Sequence, residues 1–124
     1  MPTLHAYDYA YLQVAPRVER CEFMRAGVIL FCRAQRFLGA EIALDRERLA
    51  ILAPTLSWTT VQAHLALIPR ICNGEGPIGQ LDRVERFRWL TAPHSTVIQS
   101  SSVYSGLCVD PAAALAHLMA EMTG

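Results

Sequence analysis

Five of the nine residues from Arg17 to Arg25 are charged, with the signs interleaved: Arg17, Glu19, Arg20, Glu22 and Arg25. Each arginine is a planar fork that can grip a carboxylate or phosphate through two parallel hydrogen bonds. The glutamates can act as bases or as partner contacts. The segment is therefore a candidate surface for an anion or an acidic partner. The same charges can also pair with one another as a solvated network, where each exposed pair adds only about 0.2–1 kcal/mol. A second polar run comprises Ser95, Thr96 and Gln99 and continues through Ser100–Ser102 to Tyr104. It reads either as an uncharged hydrogen-bonding surface or as an exposed strand face followed by a turn.

Other chemistries lack the spacing they need. Cys21, Cys32, Cys72 and Cys108 form no C-x-x-C pair, and His5, His64, His94 and His117 stand alone. Metal ligands come in closer pairs, so neither a metal site nor a cofactor is expected. Cys21 sits beside Arg20, but no histidine is near it in sequence to serve as base, and it reads as a half-buried thiol in a charged turn. No G-x-S-x-G marks a serine nucleophile. Gly74-x-Gly76-x-x-Gly79 matches a dinucleotide fingerprint formally, yet it follows a helical stretch and contains Pro77, so it reads as a surface turn. All eleven cations are arginine, which removes Schiff-base chemistry.

The 124 residues correspond to 13.8 kDa, one domain with its own core. Apolar residues make up 52% and charged residues 18%, which excludes intrinsic disorder. Eleven cations balance eleven anions, which argues against nucleic acid as the partner. Zero net charge with a mean hydropathy of +0.23 gives weak colloidal repulsion, so a protein partner or a homodimer is expected. The start of the chain has no basic and apolar runs of a secretion signal. The uncharged stretches Leu49–Pro69 and Trp89–Val109 are broken by polar residues and proline, so no membrane contact is expected. The expected setting is the cytoplasm, with reduced thiols.

These residues must be positioned by a small set of elements. Tyr7, Tyr9 and Tyr11 alternate with Asp8, Ala10 and Leu12, the period of a strand, which Pro16 should end. The charged segment reads as a loop or short helical turn. Val28–Cys32 is a continuous apolar run, suited to a strand buried on both faces. Arg33–Arg36 is a hairpin connection, and Phe37–Ala43 is the returning strand. Asp45 caps a helix to about Leu52, and Ser57 caps a second, with Trp58, Val61, Leu65 and Ile68 as its stripe and Pro69 as its end. Asp82 opens a third, whose Arg83, Arg86 and Arg88 read as a solvated face. Ser95–Gln99 is a fourth strand, Val103–Cys108 is extended or irregular, and Asp110-Pro111 starts a terminal helix. The expected fold is a single α+β domain over residues 1–124. It combines a three-strand antiparallel meander and a later strand with helices packed on one face.

Two segments resemble the bacterial domain-of-unknown-function 3037 family. One is Tyr7-Asp8-Tyr9-Ala10 with Pro16–Phe23 and Gly27–Cys32; the other runs from Ile78-Gly79 through Ala92-Pro93, Ser95–Gln99, Gly106-Leu107 and Asp110-Pro111. The resemblance covers nearly the whole chain. Members often carry Asn at the position of Arg25 and His at that of Tyr104. Tyrosine is a poor base near neutrality, so the second difference counts against an enzyme. Genes of the family often lie beside genes for HipA-like kinases, which implies such a kinase as partner. The leading expectation is a non-catalytic interaction or modulator protein that binds through Arg17–Arg25 and Ser95–Tyr104. The alternative is a small enzyme for a phosphorylated or acyl substrate, with Arg17 and Arg20 holding the anion and Glu22 as base.

Overall fold

The computed structural model describes residues 3–17, 22–92 and 97–123; at Pro16, Arg17 and Glu22 only the backbone is described. The elements run β1 (His5–Arg17), β2 (Glu22–Cys32), β3 (Phe37–Ile42), α1 (Arg46–Leu52), α2 (Trp58–Cys72), α3 (Gly76–Gly79), α4 (Arg83–Thr91), β4 (Ile98–Ser100), β5 (Tyr104–Cys108) and α5 (Pro111–Thr123). The strands form one antiparallel sheet in the order β3-β2-β1-β4, with β5 also bonded to β1. The α+β class, the meander and the later strand thus stand as expected.

β1 runs along two partners on one side. Its first half pairs with β5, from His5↔Cys108 to Tyr9↔Tyr104. Its second half pairs with β4, from Leu12↔Ser100 to Val14↔Ile98. Between them Ser101 bridges the break. The Tyr11 amide donates to Ser101 Oγ at 2.8 Å, and the Ser101 amide donates to the Tyr11 carbonyl at 2.9 Å. A hydroxyl thus replaces a backbone acceptor where the ladder slips, so one residue of the expected serine loop is a structural joint.

Side chains alternate across this sheet. Ala10, Leu12, Val14, Met24, Ala26, Ile29, Phe31 and Leu38 are buried under Leu49 of α1, Val61, Leu65 and Ile68 of α2, and Phe87 and Leu90 of α4. Val28, Leu30 and Cys32 point the other way and pack with Leu115, Leu118 and Met119 of α5. The helices therefore lie on both faces rather than on one. The reason is β2: its run from Val28 to Cys32 is apolar on both sides, so each side needs cover.

Three boundaries move for identifiable reasons. β1 passes Pro16, whose missing amide falls within a register irregularity between Val14 and Arg17, where no ladder bond is required. The expected loop Arg17–Arg25 is largely strand, because β2 already starts at Glu22 and Gln13 pairs with Arg25. α2 continues past Pro69 to Cys72 because its last turn is held from outside. The guanidinium of Arg86 donates through Nη1 to the Ile71 carbonyl at 3.2 Å and to the Cys72 carbonyl at 2.7 Å. Arg86 is therefore buried, not part of a solvated arginine face, and its charge sits favourably at a helix C-terminus. The glycine-rich turn places Gly74 at φ +91° and packs Gly79 against it, which accounts for both glycines without a ligand.

Gly27 lies where β2 passes close to β3. A Cβ there would come within 2.4 Å of the Glu41 carbonyl oxygen. Gly27→Ala is expected to lower unfolding free energy by about 1–3 kcal/mol, the usual range for overpacking a tight site. Urea denaturation checks this, and an unchanged midpoint would show that β3 yields freely.

Candidate functional site

The alternation of β1 places Tyr7, Tyr9 and Tyr11 in one row on the face that α5 partly covers. Tyr104 lies across from Tyr9 on β5, so all four tyrosines of the chain meet. Ring centroids lie 5.7 Å apart for Tyr7–Tyr9, 5.9 Å for Tyr9–Tyr11, 5.6 Å for Tyr9–Tyr104 and 6.4 Å for Tyr11–Tyr104. Such tilted and edge-on pairs add about 0.5–1.5 kcal/mol each beyond their buried area. Arg25 of β2 lays its guanidinium over the Tyr11 ring, 3.9 Å from the centroid. Arg25 and Tyr104 are exposed, while Tyr7, Tyr9 and Tyr11 are half-buried.

Of the residues singled out from sequence, Arg25 and Tyr104 are brought together around Tyr11. Gln13 is opposite Arg25 beside the rings, while Gln99, opposite Gln13 on β4, lines a groove between α2, α4 and β4. Arg17 and Glu22 are backbone register partners at the end of the β1–β2 ladder. Glu19, Arg20, Ser95 and Thr96 lie outside the described residues, as does Cys21. Sequence reading missed the roles of Tyr7, Tyr9 and Tyr11. Their period-two spacing was the available signal, but it was spent on identifying a strand.

Burial pushes the Tyr7 and Tyr9 hydroxyls above their ordinary value, and the neighbouring tyrosines and Glu121 add to it. Both stay protonated at neutral pH, as hydrogen-bonding groups rather than bases. Among the described residues no cluster of three or more His, Cys, Asp or Glu could hold a metal ion. Among the same residues no helix is long and apolar enough to cross a membrane.

The other face carries a groove of about 800 Å³ between α2, α4 and β4. Leu12, Val61, Ile68, Leu90 and Ile98 form its apolar walls, and His64 is its one titratable lining residue among those described. Of the candidate residues Gln99 lines it, while Arg25 and Tyr104 do not.

Cys72 lies under the Arg86 cap. Burial pushes its thiol up to about 12, against the pull of the Arg86 charge. In the unfolded chain it titrates near the ordinary value of 9.0. Between these values the unfolded state loses a proton that the folded state keeps, so folding stability falls as pH rises from about 9 toward 12. The slope due to this group approaches 1.4 kcal/mol per pH unit. Urea melts of Cys72→Ala across this range are expected to show a shallower decline than the parent. Parallel declines would mean that the thiol titrates normally in the fold.

The family described as "Protein of unknown function (DUF3037)" matches residues 9–123. No match to a curated protein or to a solved structure was found. The match takes in the tyrosine row from Tyr9 onward, the Arg25 strand, the helical layer and the terminal helix, and the chain belongs to this family.

Proposed function

We propose that the chain is a small non-catalytic interaction protein that recognises another protein through the tyrosine face. The observation that supports this is the convergence of four tyrosines and an exposed arginine on one sheet surface. Tyrosine and arginine are the residues most enriched at the energetic centres of protein interfaces. They offer broad contact area and directional hydrogen bonds at low conformational cost. Arg25 is already oriented by Tyr11, so its donors reach a partner carboxylate or phosphate with less rotamer entropy to lose. Gln13, opposite Arg25, adds uncharged hydrogen bonding beside the rings.

The candidate partner is a HipA-like kinase, which rests on the family's gene neighbourhood alone. The cytoplasm is the matching compartment, with Cys32, Cys72 and Cys108 as free thiols.

Co-expression of the chain with a HipA-like kinase, followed by light scattering and calorimetry, tests this reading. Arg25→Ala and Tyr104→Ala are each expected to weaken the complex at least about tenfold, or 1.4 kcal/mol, Arg25→Ala with thermal unfolding near that of the parent and Tyr104→Ala with a lower melt from the loss of its two ring contacts. Unchanged affinity in both variants would remove the tyrosine face as the contact. Failure of the parent chain to form any complex would remove the kinase.

A further inference from the structure

The proposed tyrosine face leaves a different feature unused, the outer side of β5. Among the described residues β5 is bonded to β1 alone, over five consecutive pairs without interruption. Alternate amides and carbonyls along its other side are therefore directed outward, a pattern that only another extended strand satisfies in full. Strands at the border of a sheet are normally protected by charge, proline or a bulge. β5 has none of these within it, and residues 97–109 hold no charged side chain.

Apolar surface accompanies the open backbone. Leu107 stands across from Ala6 and is 65% exposed. Leu4 and Val109 continue the alternation beyond the ends of β1 and β5 and are also exposed, at 59% and 50%. These residues share the sheet face on which α1, α2 and α4 pack, beyond the reach of the buried cluster beneath those helices. Charge and geometry together select the occupant. A second β5 laid antiparallel opposes no like charges, matches apolar to apolar, and closes about a two-fold axis.

We infer that two copies of the chain pair β5 against β5, joining their sheets into one continuous antiparallel sheet. The two-fold axis stands perpendicular to the sheet. Both tyrosine faces then look the same way and remain open, so the dimer presents a doubled binding surface. This pairing stands on backbone and apolar exposure alone and does not require the partner reading above.

Light scattering of the isolated chain over a concentration series tests the inference. The expected particle has twice the 13.8 kDa chain mass. Leu107→Lys places a charge on each side of the junction at an exposed position and is expected to raise the dimer dissociation constant at least about tenfold, with the circular dichroism melt unchanged. Amide hydrogen exchange gives a second readout that needs no variant. Protection of the amides in Tyr104–Cys108 is expected to grow with chain concentration. A chain that remains monomeric at about 1 mM, where a millimolar dimer would be substantially formed, overturns the inference. A dimer unaffected by Leu107→Lys, or one whose protection rises at Tyr7–Tyr11 rather than in β5, overturns it as well.

Discussion

β1 is the constraint on which the rest of the molecule depends. In thirteen residues it bonds to β2 on one side and to β4 and β5 on the other. Its alternation sorts the chain into two chemistries. Ala10, Leu12 and Val14 point toward the helical layer, and Tyr7, Tyr9 and Tyr11 point away from it. A slip of one residue would exchange these sets, placing phenols in the main core and aliphatic side chains at the surface. Fully burying a leucine or valine contributes about 1.5–3 kcal/mol, so the register is held strongly by the apolar set alone. The tyrosine face follows from the same register without requiring a separate cause.

The helical layer depends on a polar contact as well as on apolar packing. α2 contributes Val61, Leu65, Ile68 and Cys72 to the core, and its last turn lies beyond Pro69. Proline removes one amide, and a helix end leaves carbonyls without partners. Arg86 donates from α4 to the Cys72 carbonyl and to the Ile71 carbonyl, which also accepts from the Gly74 amide, and so ties the two helices together. Its own Nε lacks a protein partner, a local cost that the two carbonyl bonds offset.

Much of the fold was legible because its signals were local. Asp45, Ser57, Asp82 and Asp110 each accept amide hydrogen bonds at the starts of their helices, as their residue types implied. The apolar run in β2 marked an interior strand, and its two-sided character foretold cover on both faces even though one-sided packing was expected. What was hidden depended on long-range contact. Nothing near Arg86 in sequence indicates that it would reach back to Ile71 and Cys72. Nothing near Ser101 indicates that its hydroxyl would stand in the β1 ladder. The site was half legible for a related reason. Arg25 and Tyr104 were selected for their chemistry, but they meet only because β1 lies between their strands and carries Tyr11.

The functional account joins these observations. A single strand register yields a packed helical side and an outward tyrosine side, where the Arg25 guanidinium lies over the Tyr11 ring. Burial that holds the Tyr7 and Tyr9 phenols in their protonated form, beside a guanidinium laid over a ring, suits recognition more than proton transfer. The most direct measurement is oxidative footprinting of the four tyrosines, in the chain alone and in its complex with the co-expressed kinase. The account predicts that Tyr11 and Tyr104 are modified in the free chain and protected together in the complex. Equal modification of both in the two samples would contradict it.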